Sequence, residues 1–145
     1  TQIPARDGEA HGGIKRSNRF PNCSFFTNWT SLEDSISFNA YVQDQGQYEV
    51  SIYYTCPSGD EGGSFRMSFG GSFIDGIITE AHDPPLYGMD QDRSKRMESY
   101  VKDFKALKVG IVNLEQGAQI IKMQALKIPG KQLMDFRLMM LKKVK

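Results

Sequence analysis

Gly46-Gln47-Tyr48-Glu49-Val50-Ser51-Ile52-Tyr53-Tyr54-Thr55 is the stretch that decides the fold class. Tyr48, Val50, Ile52 and Tyr54 fall on one phase, and Gln47, Glu49, Ser51 and Tyr53 on the other. A period of two sustained this long belongs to a β-strand with one buried face. Upstream, Asp44, Gln45 and Gly46 supply a turn, and before it Ile36, Phe38 and Ala40 alternate with polar residues from Asp34 onward. The two runs predict a hairpin.

Working outward, the same grammar repeats. Pro57, Gly59, Gly62 and Gly63 turn the chain into the alternating Phe65, Met67 and Phe69, and Gly70 and Gly71 turn it again into Phe73 to Ile78. Gly110 and Gly117 bracket a strand ending at Leu114. Ile120 to Leu126 makes another, Pro129 and Gly130 turn, and Met134 to Leu141 closes the domain. Met97, Val101, Phe104 and Lys108 fit a helical stripe, while Tyr100, Lys102, Phe104 and Ala106 fit a strand; the surrounding pattern favours the strand. Residues 1–31 are irregular, with isolated apolar positions such as Ile3, Ile14, Phe25 and Phe26, and are read as one or two short strands. About eight strands separated by turns predict an all-β domain of two packed sheets.

Composition agrees. A chain of 145 residues is one domain, 1–145, long enough to bury a core. Aromatics at 11% with 14 Gly and 6 Pro suit short strands and many turns, and exclude a helical bundle or a disordered tract. A net charge of +1 provides no global field to draw in nucleic acid or an acidic membrane. No apolar run approaches the roughly 20 residues that span a bilayer, and Thr1 opens onto polar sequence, so an export address would lie upstream or have been trimmed. Cys23 and Cys56 are too few and too far apart for a zinc site of paired cysteines; one disulfide or two buried thiols both remain open.

Residues 79–97 break the rhythm with His82, Asp83, Pro84, Pro85 and a charged run from Asp90 to Arg96, and read as a long loop of the kind that carries sites on rigid sheets. A sugar site needs a flat aromatic face for the apolar side of a pyranose and fixed polar groups for its hydroxyls. Tyr87 and Tyr100 are candidate faces, with Asp90, Asp92, Arg93 and Arg96 close by in sequence; the alternative is a solvated loop with Tyr100 packed on the sheet. Trp29, the only tryptophan, is open to either stacking or core packing. His82 beside Asp83 suggests a general base, but no nucleophile motif accompanies it and a Pro-Pro turn follows, so a structural turn is the better reading.

Asn28-Trp29-Thr30-Ser31, Gly46-Gln47-Tyr48-Glu49-Val50, Tyr54-Thr55-Cys56-Pro57, Glu98-Ser99-Tyr100-Val101-Lys102-Asp103-Phe104 and Ile128-Pro129-Gly130 together resemble the C-terminal accessory domain of bacterial arylsulfatase-like enzymes. Pro4-Ala5-Arg6-Asp7-Gly8 and Pro21-Asn22-Cys23-Ser24 extend the likeness over nearly the whole chain. More distantly, Gly-x-Tyr opening an alternating strand, the Leu114 to Gly117 turn and a final strand opening with Asp resemble galactose-binding-like jelly rolls, including carbohydrate-binding modules of families 6 and 35. The sulfatase pattern Cys/Ser-x-Pro-x-Arg is missing: Cys56-Pro57-Ser58-Gly59 has the wrong spacing and no Arg.

The resemblance therefore implies a non-catalytic, carbohydrate-binding-like module appended to a larger bacterial sulfatase that acts outside the cytoplasm on a glycan, with a purely structural domain packed on the catalytic core as the alternative. For a sulfated polysaccharide, Arg93, Arg96 and Lys102 would matter, because guanidinium pairs with sulfate oxygens through two parallel hydrogen bonds. It also implies a structural calcium ion between an N-terminal acidic residue and an Asp on the last strand, which falls on Glu9 and Asp135. His11 stands where a second acidic ligand is usual, which weakens such a site. A third reading, a hydrolase using Asp83, Asp90 or Asp92, lacks the apolar pocket that would separate their pKa values.

Overall fold

The computed structural model describes residues 2–16, 25–82 and 104–144. Within them eleven β-segments run in order: β1 Gln2–Pro4, β2 Glu9–His11, β3 Lys15–Arg16, β4 Phe26–Thr27, β5 Ser35–Val42, β6 Gly46–Thr55, β7 Ser64–Phe69, β8 Ser72–Ile77, β9 Lys105–Leu114, β10 Gly117–Lys127 and β11 Asp135–Lys143. A single 3-10 turn, Ala5–Asp7, separates β1 from β2. The expected all-β sandwich is what forms.

Two antiparallel sheets face each other. One has the order β3-β4-β11-β6-β9, with β1 also pairing β11; the other runs β2-β5-β10-β7-β8. The apolar phase of each strand fills the space between them: Val50, Ile52 and Tyr54 from β6 meet Ile36 and Phe38 from β5, Phe65 and Met67 from β7, and Ile121 and Met123 from β10. Phe38 and Phe136 meet across the gap with ring centroids 6.0 Å apart at 51°, the tilted contact that aromatic quadrupoles favour. Burial of these side chains, roughly 1.5–3 kcal/mol for each fully buried one, is what holds the sheets face to face.

Three details depart from the sequence reading. The described part of the first 31 residues supplies four short strands, which the sequence does not announce because pieces of two or three residues show no period. Gly110 does not break a strand: β9 runs through it, and the pairing with β6 shifts register there, between Val50 and Ser51, a bulge that a glycine accommodates easily. The strand expected from Tyr100 begins at Lys105 within the described residues.

Candidate functional site

β5 places its side chains alternately. Ile36, Phe38 and Val42 point into the core, while Ser37, Asn39 and Tyr41 stand on the open face of the five-stranded sheet. Pairing with β10 sets Ile120 opposite Asn39 and Ala118 opposite Tyr41. Further across the same face β8 presents Phe73, Asp75 and Ile77. Tyr41 is 67% exposed, Ile120 65% and Phe73 57%, so the face carries large apolar groups that the core does not use.

Arg66 on β7 crosses to this face and donates to both carboxylate oxygens of Asp75, at 2.8 and 3.1 Å. Its guanidinium lies 4.2 Å from the centre of the Phe73 ring, which fixes the ring by a cation–π contact. The hydrogen bond from Arg66 holds the Asp75 carboxyl below its ordinary pKa.

At the end of the sandwich where β5 turns into β6, the open face leads into a cleft of about 560 Å³. Ile3, Val42, Leu114 and Leu141 line it with apolar surface, and Tyr41 stands at its lip. Tyr48 also lines it, its hydroxyl donating to the Asp44 carbonyl at 2.5 Å. Gln43, Asp44, Lys142 and Lys143 give it its polar groups. An apolar lining, an exposed aromatic plate and a small set of polar groups are the ingredients of a sugar-binding concavity. The sequence reading missed Tyr41; the signal that could have found it is the period of two, which leaves it the one aromatic on an otherwise polar phase of β5.

The residues singled out from sequence fall in different places. Tyr87, Asp90, Asp92, Arg93, Arg96, Tyr100 and Lys102 lie outside the described residues, as does Cys23. The positions flanking 83–103 are anchored on the six-stranded sheet's side of the molecule. His82 exchanges backbone hydrogen bonds with Cys56 at 2.7 and 2.8 Å, and Glu80 accepts the Tyr54 hydroxyl on its carbonyl at 2.9 Å and pairs through its carboxylate with Lys105. Phe104 sets its ring edge on Phe25 at 5.4 Å. Burial raises the Tyr54 pKa, and Cys56 is fully buried.

Trp29 is corrected as a stacking face: it is 0% exposed and belongs to the core. Its carbonyl accepts the Leu133 N–H at 2.8 Å, while its own Nε1 is buried without a hydrogen-bond partner among the described residues.

Glu9 is exposed on β2 in one sheet, whereas Asp135 is buried at the start of β11 in the other, with the Thr27 hydroxyl on its Oδ1 at 2.7 Å. A calcium ion takes 6–8 oxygen ligands. Among the described residues no three His, Cys, Asp or Glu side chains gather.

No family model matches the chain, and no curated protein does. Solved structures do. A family 35 carbohydrate-binding module from Clostridium thermocellum superposes with a TM-score of 0.67 at 13% identity, covering 99% of this chain and 98% of that one. A carbohydrate-binding module of Cellvibrio mixtus lichenase 5A, solved with cellotriose, gives 0.64 at 15% identity, covering 100% and 98%. The GH26-CBM35 β-(1,4)-mannanase of Podospora anserina gives 0.67 at 14% identity, covering all of this chain but only 28% of the enzyme. At these identities the likeness is one of fold: the chain is a jelly-roll sandwich of the kind that family 6 and 35 modules build.

Proposed function

We propose that the chain is a non-catalytic glycan-binding module of a larger sulfatase-type enzyme that works outside the bacterial cytoplasm. The observation that carries the reading is the junction at Tyr41, where an exposed aromatic plate, a cleft of hexose-accommodating size and polar side chains meet on a rigid strand pair. Fold alone would not do so, since one fold hosts unrelated functions; the sugar-binding neighbours and the site chemistry together support it. No helix among the described residues is long and apolar enough to cross a membrane.

In this reading the pyranose lies on the Tyr41 ring, Gln43 and Asp44 meet its hydroxyls, and Lys142 and Lys143 favour an anionic substituent such as sulfate. Tyr87, Tyr100, Asp90, Asp92, Arg93, Arg96 and Lys102 form a second proposed set of contacts. Holding the polysaccharide keeps substrate at high local concentration for a linked catalytic domain. The test is calorimetric titration of the domain against sulfated and unsulfated polysaccharides, with calcium and then with chelator. Heat of binding that vanishes in Tyr41→Ala supports the reading; silence across the panel overturns it.

A second reading has its own observation. Ile77 and Ile120 are exposed on the same open face, and an apolar patch there suits packing against a catalytic core. It predicts no glycan binding, and binding of a hydrophobic dye that Ile77→Ser and Ile120→Ser abolish.

A further inference from the structure

We infer that the guanidinium of Arg16 is the resident cation of the N-terminal corner, holding by covalent tether the place in which the jelly-roll resemblance put a divalent ion. Arg16 donates from Nη1 to the Ala5 carbonyl at 2.7 Å and from Nη2 to the Gly8 carbonyl at 2.6 Å. These two carbonyls bracket the 3-10 turn, and Gly8 is the residue before Glu9. The same guanidinium sits 4.9 Å from the centre of the Phe26 ring.

Phe26 pairs with Arg16 on one side and with Phe136 on the other, and Phe136 follows Asp135. Arg16 therefore lies between the two segments that carry the implied calcium ligands, and it ties the turn to the edge of the six-stranded sheet. Backbone carbonyls are the ligands a hard cation would take, and here a planar fork of charged donors occupies them. The Ala5 carbonyl also receives the Gly8 N–H at 3.0 Å, which uses its second lone pair. A second cation adds a difficulty: Arg6 projects from the same turn, with the Asp7 carboxylate 3.7 Å from its Nε. A divalent ion entering this corner would meet two guanidinium groups and carbonyls already engaged.

The domain accordingly needs no divalent ion at this corner, and its stability rests on Arg16. Thermal melts of the wild-type domain, Arg16→Met and Arg16→Lys, each with chelator and with millimolar calcium, decide it. The wild type is expected to melt at one temperature in both buffers. Arg16→Met is expected to melt several degrees lower in both, and Arg16→Lys to fall between, since it keeps the charge and loses the fork. A wild-type midpoint that drops in chelator and returns with calcium overturns the inference. So does an Arg16→Lys domain that melts like the wild type, a result that stays readable even if Arg16→Met does not fold.

Discussion

The Thr27 hydroxyl donates to the Asp135 carboxylate at 2.7 Å, tying the short β4 to the head of the last strand across more than one hundred residues of chain. Asp135 is almost fully buried, and a buried carboxylate that loses a donor bears an uncompensated desolvation cost. Thr27→Val, which keeps the shape and removes the hydroxyl, is expected to cost about 1.5–3 kcal/mol, the range for hydrogen bonds to charged groups. Urea denaturation measures it; an unchanged midpoint would mean that the bond contributes nothing net.

Trp29 offers a spectroscopic check, since it is the sole tryptophan and is wholly buried. Native emission should be blue-shifted and insensitive to iodide, and should move to the red in a single step on unfolding. Trp29→Ala should cost about 3–5 kcal/mol, as for other large aromatic truncations in a core. Iodide quenching of the native protein would contradict the burial.

Gly76 sits opposite Phe65 in the β7–β8 pair, and a Cβ added there would meet Phe65 Cζ at 2.5 Å. Phe65 is fully buried and has nowhere to withdraw, so Gly76→Ala is expected to destabilise by about 1–3 kcal/mol, the usual cost of overpacking. A calorimetric melt at or above the wild-type temperature would show that the ring can shift.

Asp75 and Glu80 each have a carboxyl pKa held low by a hydrogen-bonded partner, Arg66 and Lys105 respectively. Because the folded values lie below the unfolded ones of about 3.9 and 4.3, the unfolded chain binds more protons in acid. The stabilisation is present above those values and is lost as pH falls through the folded ones. Both groups are exposed, so the effect is small and weakens with salt. Asp75→Asn and Glu80→Gln should each flatten the acid limb of a plot of melting temperature against pH. An acid limb identical to the wild type in both would remove these pairs from the pH dependence.

Phe73→Ala, on an exposed face, should change stability by no more than about 0.5 kcal/mol. Under the glycan reading it should weaken binding if the chain of sugars continues from Tyr41 across the sheet. Equal affinity for wild type and variant would confine the glycan to the Tyr41 end.

Much of this architecture is written in the alternations at 36–40, 48–54 and 65–69, where one phase is apolar and the other polar, so inward and outward faces follow directly. The segment from Phe73 to Ile77 is harder to read: Phe73, Ile74 and Ile77 put apolar groups on both phases, and only pairing with β7 assigns the exposed one. Trp29 is flanked by Asn28 and Thr30, a neighbourhood that leaves stacking and core packing both open, and only the tertiary packing shows it taken inside. Arg16 carries no sequence signal for its role, because its partners are backbone carbonyls with no side-chain identity. The cleft was missed because its walls come from β1, β5, β6, β9 and β11, which only the folded sheet order brings together.

The first eleven residues join both sheets: β1 lies along β11 with Ile3 beside Met139, and β2 lies along β5 with Ala10 beside Ile36. During synthesis β2 can find its place once β5 has emerged, but β1 must wait for β11, some 130 residues further along. The strand that is made before its neighbours in this domain is thus among the last of them to settle, and until then the stretch of β11 from Leu138 to Met140 lacks its partner.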